Sequence, residues 1–214
     1  MSGVPGESGP RVVVLDYGSG NLRSAQRALA RAGSQVSVAA DLAAAADADG
    51  LVVPGVGAYA ACMAGIDALR AGPVIAERVA AGRPVLGICV GMQILFEYGE
   101  KHGVVSKGLG LLPGGVTRLA ARRIPHMGWN TVDPPAGSGL FAGLPAGSRF
   151  YFVHSYAATD TGALAGAGAL VTTCTHESGF VAAVERGPLW AAQFHPEKSA
   201  ETGAALLRNW LAAL

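Results

Sequence analysis

The chain has 214 residues and a formal net charge of +1 at pH 7; 50% of its residues are hydrophobic and 14% are charged. This balance predicts one globular domain with a sizeable core and argues against a disordered chain. The near-neutral charge also gives no indication of a nucleic-acid partner or an anionic membrane surface.

The N-terminal segment and the apolar stretches carry no targeting or membrane signal. Residues 1–10 are rich in glycine, proline and serine and lack an apolar core. We therefore expect a disordered tail there rather than a signal peptide, followed by one domain over residues 11–214. The longest apolar stretch, residues 51–66, is interrupted by one proline and three glycines, which argues against a membrane span.

The cysteines and histidines bear on the redox compartment and on metals. Cys62, Cys89 and Cys174 are an odd number of thiols, which does not indicate a disulfide framework and fits a reducing cytoplasm. We assign Cys62 and Cys174 to packing, because free cysteine is often a small core hydrophobe. Five histidines are scattered without metal-ligand spacing, so we expect no metal site and no cofactor: His102, His126, His154, His176 and His195.

In chain order, the first half of the sequence alternates short apolar runs with helical patterns. We expect strands at residues 11–15, 35–39, 50–53 and 84–88, and helices at 22–32, over much of 62–81 and at 90–98. Short apolar strands separated by helices predict a parallel sheet covered on both faces. Residues 16–20, residues 54–57 and Cys89 each follow such a strand, so they should meet at the edge where ligands bind.

The second half is dominated by β-like segments. These lie at residues 114–119, 149–156, 168–174, 180–185 and 189–194, and the last two should form a hairpin around residues 186–188. A closing helix is expected at 199–214, with an apolar face of Ala205, Leu206, Trp210 and Leu211. The predicted class is α/β, with a mostly parallel central sheet flanked by helices and additional antiparallel strands in the C-terminal half.

Cys89 lies in the segment Gly87-Ile88-Cys89-Val90-Gly91, between an expected strand and an expected helix. The pattern is that of the G-x-S-x-G nucleophile elbow, with cysteine in place of serine. The flanking glycines leave room for the tight turn because they carry no Cβ. The sulfur should then lie at a helix N-terminus, where the dipole and free N–H groups favour the reactive thiolate. A buried structural cysteine is the usual alternative, and the glycines argue against it.

His195 is the expected base, and Glu197 is its orienting carboxylate. His195 follows an expected strand, and Pro196 fixes its own φ and restricts the residue before it. A carboxylate near one ring nitrogen selects the tautomer and stabilises the imidazolium. An isolated histidine is more often a surface-loop residue, but the cysteine elbow upstream favours the catalytic interpretation.

Residues 54–57, Pro-Gly-Val-Gly, are the candidate for part of an oxyanion hole. One N–H donor is expected from Val90, and a second from Val56 or Gly57. Glycine tolerates positive φ, so this peptide can flip, and we hypothesise that its donor can point away from the site. An ordinary strand-ending turn explains the Pro-Gly-x-Gly pattern at least equally well.

Taken together, these residues resemble the class I (triad) glutamine amidotransferases, for which Gly-Ile-Cys-Val-Gly-Met-Gln with a downstream His-Pro-Glu is a specific pairing. The resemblance covers residues 11–214 and implies a flavodoxin-like fold with Cys89, His195 and Glu197 as the triad. The cysteine would attack the side-chain amide of glutamine, and water would hydrolyse the glutamyl thioester. Val90 replaces the commoner leucine, which is conservative because its backbone N–H is what matters.

Further stretches are similar to the glutaminase subunits of imidazole glycerol phosphate synthases, from histidine biosynthesis. These stretches are residues 16–22, 54–57, 125–130, 151–156 and 193–199. The resemblance implies four residues near bound L-glutamine: Gly57, Gln93, Ser155 and Tyr156. It also implies five residues that face a partner subunit: Met127, Trp129, Asn130, Tyr151 and His154. That partner would be a (β/α)8-barrel cyclase, which uses the ammonia to form imidazole glycerol phosphate and an aminoimidazole carboxamide ribotide.

Several alternatives stay open from the sequence. Residues 126–130 are also compatible with a buried loop in which Trp129 fills the core. The function is also compatible with another triad glutaminase, of the pyridoxal-phosphate or GMP synthase type, or with a cysteine peptidase or hydrolase of related fold. A non-enzymatic domain that only keeps the fold is a further alternative. The sequence has no P-loop, so we expect the ammonia acceptor to be bound by the partner.

Overall fold

The computed structural model describes residues 9–101 and 104–214, so residues 1–8 of the expected tail lie outside the described residues. In chain order the strands are β1 (Arg11–Leu15), β2 (Gln35–Ala39), β3 (Gly50–Gly55), β4 (Val85–Cys89), β5 (Phe96–Lys101), β6 (Val104–Lys107), β7 (Leu112–Arg118), β8 (His126–Thr131), β9 (Arg149–His154), β10 (Tyr156–Ala158), β11 (Leu170–His176), β12 (Ser178–Arg186) and β13 (Leu189–Ala192). The helices are α1 (Leu22–Ala32), α2 (Leu42–Asp47), α3 (Tyr59–Leu69), α4 (Ala71–Ala80), α5 (Val90–Gln93), α6 (Thr161–Gly166) and α7 (Ala200–Leu211), and a short 3₁₀ helix spans Pro196–Lys198.

A seven-stranded sheet forms the centre of the molecule, in the order β11-β12-β13-β4-β3-β1-β2. The pairs from β2 through β1, β3 and β4 to β13 are parallel, whereas β12 pairs antiparallel with both β11 and β13. A four-stranded sheet (β10-β7-β5-β6) and a two-stranded ribbon (β8-β9) lie outside it. The predicted α/β class, with a mostly parallel sheet and antiparallel strands in the second half, is confirmed.

The core lies around the central strands, because their apolar runs are buried from end to end. Val12–Leu15 of β1, all of β3 and all of β4 are buried, which is typical of parallel strands covered on both faces. The boundaries of β1, α1 and β2 coincide with the predicted ones. Helix α1 ends at Gly33, whose φ of 111° is the left-handed cap conformation that glycine adopts without strain.

The third strand is longer than predicted, because it continues through Pro54 to Gly55 rather than ending after residue 53. Strand β1 pairs with β3 only as far as Val52, so beyond that point Pro54 has no ladder partner on the β1 side. The hydroxyl of Tyr17, which follows β1, donates there to the Pro54 carbonyl. The extension brings Gly55 into register with Cys89.

Two helical predictions are wrong in extent. The single helix expected within 62–81 is two helices, α3 and α4, separated by Arg70 in a left-handed conformation at φ 58°. The helix expected at 90–98 ends at Gln93, because Phe96 pairs with Leu112 of β7 and starts a strand. Tertiary pairing of a buried aromatic residue overrides the local helical pattern here.

The C-terminal half agrees with its predicted segments. Arg186 and Leu189 pair across the expected hairpin, and α7 buries Leu206, Trp210 and Leu211, with Ala205 half-buried. Elements that we did not predict occur in both halves of the chain: α2, β5, β6, β8, β10, α6 and the 3₁₀ helix. No helix in the described residues is long and apolar enough to cross a membrane.

Candidate active site

Cys89 is the last residue of β4, and its backbone is held at φ 56° and ψ −116°. A non-glycine residue in this region is strained by about 1–3 kcal/mol, as expected for a nucleophile elbow. The neighbouring glycines are required by space. A Cβ on Gly91 would overlap the carbonyl of Val53, and one on Gly87 would lie 2.8 Å from Leu95 Cδ1. The sequence can therefore form this turn only with glycine on both sides.

His195 lies just beyond β13, and its backbone is held on both sides. Its N–H donates to the Tyr151 carbonyl at 2.9 Å, and its carbonyl accepts from Ser199 Oγ at 2.6 Å. The ring Nδ1 lies 2.7 Å from Glu197 Oε1, and both side chains are only 3% exposed. The 3₁₀ turn that begins at Pro196 brings the carboxylate back to the ring.

The electrostatic setting of His195 favours the imidazolium. Burial lowers the pKa of His195, but hydrogen bonds to Cys89 and Glu197 and the negative charges on both groups outweigh it and raise the pKa to about 9. Since the carboxylate takes Nδ1, the other ring nitrogen is left for the cysteine. This arrangement can hold and return one proton next to a nucleophilic sulfur.

A cavity of about 240 Å³ opens beside the cysteine. Its walls include every residue predicted for the oxyanion hole and for glutamine, together with two of the three predicted catalytic residues: Val56, Gly57, Cys89, Val90, Gln93, Ser155, Tyr156 and His195. Glu197 lies behind His195. The structure therefore brings residues from both halves of the sequence to one place, at the carboxyl ends of β3 and β4.

The backbone of residues 54–57 is held by hydrogen bonds to the side chains of Ser19 and Cys62. Gly57 has a φ of 89°, and the N–H of Val56 donates to Ser19 Oγ at 3.4 Å. The Val56 carbonyl accepts from Ser19 Oγ at 3.0 Å and from Cys62 Sγ at 3.4 Å. Cys62, which we assigned to packing alone, is thus a hydrogen-bond partner of this segment as well.

Gln93 is 5% exposed, and its amide Nε2 donates to the Tyr156 carbonyl and to Gln193 Oε1, both at 2.9 Å. An adjoining cavity shares Gly57, Gln93 and Tyr156 and adds the carboxylate residue Glu100. Sequence reasoning missed Glu100, because the helix expected at 90–98 left it beyond the elbow with no defined position.

The residues expected to face a partner fall into two groups. Met127 and Trp129 are 67% and 44% exposed on β8, and the Trp129 ring lies 6.0 Å from that of half-buried Tyr151. Asn130 donates from its amide to the Thr175 carbonyl at 3.0 Å. His154 is only 6% exposed and lines the cavity, so this side chain lies in the interior of the chain.

A buried histidine pair connects β8 to the cavity wall. His126 Nδ1 lies 3.0 Å from His154 Nε2, and His154 Nδ1 lies 3.0 Å from the Tyr156 carbonyl. Burial, aided by the nearby His176, lowers the pKa of His126 to about 4. Burial also lowers the pKa of His154 to about 3 against the opposing hydrogen bond to Tyr156. Both rings are therefore neutral near pH 7.

Cys174, the third thiol, lies in the interior of the protein. Cys174 is buried, and burial raises its pKa to about 12, in keeping with a packing role. Within residues 9–101 and 104–214, no three histidine, cysteine or carboxylate side chains are grouped so that they could hold a metal ion.

Comparison with known proteins decides the family. The sequence profile described as "Glutamine amidotransferase class-I" matches residues 13–214. The chain belongs to this family. Among curated relatives, the imidazole glycerol phosphate synthase subunit HisH of Thermobifida fusca is 61% identical over 209 residues, covering 96% of this chain and 99% of that protein. The protein of the same name from Mycobacterium tuberculosis is 63% identical over 203 residues, covering 95% and 98%.

Solved structures agree on the fold. A glutamine amidotransferase crystal structure matches with a TM-score of 0.73 at 21% identity, over 94% of this chain and 97% of that one. A putative GMP synthase component from Thermoplasma acidophilum matches with the same TM-score at 20% identity, over 97% and 95%. The class I amidotransferase resemblance and its fold are therefore confirmed.

Proposed function

We propose that this chain is the glutaminase subunit of an imidazole glycerol phosphate synthase, in which Cys89, His195 and Glu197 hydrolyse L-glutamine. The observation that carries the proposal is the single cavity lined by both Cys89 and His195, with Glu197 hydrogen-bonded behind the ring. Relatives that bear the name of this subunit show 59–63% identity and cover 95–96% of the chain, which favours it over other triad glutaminases.

In the proposed reaction, the Cys89 thiolate attacks the side-chain carbonyl carbon of glutamine, and the C–N bond breaks. The His195 imidazolium gives its proton to the departing nitrogen, which leaves as ammonia. Neutral His195 then takes a proton from water, and the resulting hydroxide attacks the thioester. The S–C bond breaks, glutamate leaves, and the thiolate–imidazolium pair is restored.

Charge that develops on the carbonyl oxygen needs N–H donors aimed at it. Val90, the residue after the nucleophile, supplies one donor at the elbow. The second would come from Val56 or Gly57 after the segment turns, because the Val56 N–H is engaged with Ser19 Oγ. The bond to Ser19 supports a resting state with an incomplete oxyanion hole and low idle turnover.

Glutamine itself would lie along the cavity wall formed by Gly57, Gln93, Ser155 and Tyr156. We add Glu100 as the partner of the substrate's α-ammonium group, because this carboxylate residue adjoins the same wall. Among the described residues, no other acidic side chain lines either cavity. A charge-assisted contact of this kind would select an amino acid over an uncharged amide.

The ammonia must reach its acceptor unprotonated, because ammonium is not nucleophilic and predominates in water near pH 7. This requirement supports a heterodimer with a (β/α)8-barrel cyclase, in which the ammonia travels through a sheltered path. The exposed Met127 and Trp129, with Tyr151 beside them, form an apolar surface suited to such docking. Three free thiols fit a cytoplasmic enzyme.

Co-purification with the candidate cyclase, followed by glutaminase assays with and without the cyclase's substrate, tests the proposal. We expect a stable complex whose glutamine hydrolysis rises when that substrate is present. A chain that binds no cyclase and hydrolyses peptides but ignores glutamine would be a cysteine peptidase instead. Histidine auxotrophy on deletion separates the proposal from a glutaminase of the pyridoxal-phosphate or GMP synthase type.

A further inference from the structure

Gln193 lies two residues before His195, and its side chain is almost wholly enclosed, at 1% exposure. Its backbone N–H donates to the Ala182 carbonyl at 2.8 Å, which ties this segment to β12. From this position the side-chain Nε2 lies 3.8 Å from Cys89 Sγ, within hydrogen-bond distance for a sulfur acceptor. A neutral polar side chain therefore contacts the proposed nucleophile from inside the protein.

The surrounding hydrogen bonds fix which end of the Gln193 amide faces the sulfur. Gln93 Nε2 has two hydrogens, and it donates one to the Tyr156 carbonyl and the other to Gln193 Oε1. The oxygen of Gln193 must face Gln93, so its NH₂ group must face Cys89. If the Gln193 amide were flipped, its NH₂ group would face the NH₂ group of Gln93, with two donors in contact. Its oxygen would then face the sulfur.

The carbonyl at the start of this network is itself held in place. Tyr156 O accepts from Gln93 and also from the Nδ1–H of His154. An ordered set of donors thus runs from the cavity wall through Gln93 to Gln193 and ends at the sulfur. Networks of this kind gain strength when they are shielded from water.

The short elbow helix gives the sulfur less support than we expected. We expected the dipole of a helix over residues 90–98 to favour thiolate, but α5 contains only four residues. The macrodipole of one turn is small, because it sums over few aligned peptide units. A side-chain N–H aimed at the sulfur provides a stabilisation that the helix lacks.

We propose that Gln193 is a further catalytic residue, whose side-chain N–H donates to the Cys89 sulfur and stabilises the thiolate. The inference rests on the proposed role of Cys89 as nucleophile. Gln193 transfers no proton. Its bond is strongest when the sulfur carries the negative charge, before attack and again when the S–C bond of the thioester breaks. Gln193 thereby raises the thiolate fraction and improves the leaving group in the second half-reaction.

The chain offers a sharp pair of variants. Gln193→Glu keeps the oxygen that Gln93 needs but replaces the N–H donor by a negatively charged oxygen. Gln193→Met keeps the approximate volume of the side chain and removes both the amide oxygen and the N–H donor. Gln35→Glu is the matched control, because it makes the same change at an exposed position in β2. The titratable groups that face Cys89 are left intact in all three: His195 with Glu197 behind it, Tyr17 and Lys198.

The measurement is the rate of Cys89 alkylation by iodoacetamide between pH 5 and pH 10, read from the mass of its peptide, with no glutamine or partner present. For both Gln193 variants we expect the pH of half-maximal alkylation to rise by about one unit, a ten-fold loss of thiolate at a given pH. Gln35→Glu should not move it. A Gln193→Met profile that coincides with that of the unaltered chain would overturn the proposal, because the carboxylate of Gln193→Glu raises this pH by its charge alone.

Because this assay needs no turnover, its outcome is separate from that of the proposed glutaminase activity. If the chain hydrolyses glutamine but the alkylation profiles of the variants do not move, the Gln193 proposal is wrong and the proposed glutaminase activity stands. Should the variants fail to fold, the side-chain amide NMR signals of Gln193 in the unaltered chain decide. They should shift on alkylation of Cys89 and over the same pH range as its alkylation, and signals that stay fixed in both experiments would overturn the proposal.

Discussion

The Nδ1 atom of His195 lies 2.7 Å from Oε1 of Glu197, and neither side chain is more than 3% exposed. A charged hydrogen bond in so enclosed a place holds the ring in one tautomer and orientation. With the cysteine on its other side, His195 has its pKa raised to about 9 despite the opposing effect of burial.

Replacing Glu197 tests this relationship. Glu197→Gln removes one cause of the raised pKa of His195, so the alkaline fall in kcat/KM, expected near pH 9 for the native enzyme, should move to lower pH. We also expect kcat to fall roughly 10²–10⁴-fold. The pH profile of glutaminase activity measures both, with exposed Glu201→Gln as the control. An alkaline limb that does not move would show that Glu197 has no such role.

The two glycines of residues 54–57 should respond differently to a β-branched side chain. A Cβ on Gly55 would overlap Gly91 N and lie 2.8 Å from the Val90 carbonyl carbon, so Gly55→Val should lower the folding stability. At Gly57 no described atom lies within 4 Å of a new Cβ. A side chain there would be strained only because the backbone φ is 89°. Gly57→Val should thus lower kcat about ten-fold and leave KM nearly unchanged, because it restricts the peptide turn.

A control for this prediction is Gly143→Val, which has a similar φ of 71° and open space in a surface loop. Gly143→Val should introduce backbone strain similar to that of Gly57→Val, but it should not alter kcat. If kcat is unchanged in both Gly55→Val and Gly57→Val, the hypothesis that this peptide must turn for activity is contradicted.

The buried histidine pair predicts acid sensitivity of the fold. The pKa values of His126 and His154 are lowered to about 4 and about 3 from 6.5, so below pH 6.5 the unfolded chain binds protons that the folded chain does not. Stability must therefore fall as the pH drops from about 6.5 toward about 4, by a few kcal/mol in total. Denaturant unfolding at several pH values measures the slope.

In the same experiment, His154→Gln should make the slope shallower in that pH window, even if it lowers stability at pH 7. The comparison of slopes removes the effect of lost contacts, which is present at every pH. Identical slopes with and without His154 would mean that this histidine binds its proton as readily in the folded chain as in the unfolded chain.

The exposed β8–β9 ribbon predicts where a cyclase docks. Trp129 and Met127 are large apolar side chains on an accessible surface, and tryptophan often contributes much of the binding free energy of an interface. Trp129→Ala with Met127→Ala should weaken association at least ten-fold, or about 1.4 kcal/mol, by calorimetry or analytical centrifugation. Leu170→Ala, at another exposed apolar side chain, should leave the affinity for the cyclase unchanged. If the Trp129→Ala/Met127→Ala variant and Leu170→Ala bind the cyclase equally well, the interface lies elsewhere on the chain.

Sequence reasoning succeeded where local signals and spacing suffice. The apolar run of β1 and the glycine after α1 define their boundaries directly, and the glycines around Cys89 have the steric role that their pattern predicts. It failed where distant residues decide. The elbow helix is short because Phe96 pairs with Leu112, and the amide of Gln193 is oriented toward Cys89 across 104 residues of sequence. No local sequence pattern predicts the Phe96–Leu112 pairing or the contact between Gln193 and Cys89.

In the proposed reaction, ammonia is released only when the sulfur of Cys89 takes over the glutamyl group. The most direct measurement compares glutamine-dependent with ammonia-dependent product formation by the Cys89→Ala variant in complex with the cyclase. We predict that glutamine-dependent synthesis is abolished and that synthesis from added ammonia continues at the native rate. Equal loss of both activities, or retained use of glutamine, would contradict the account.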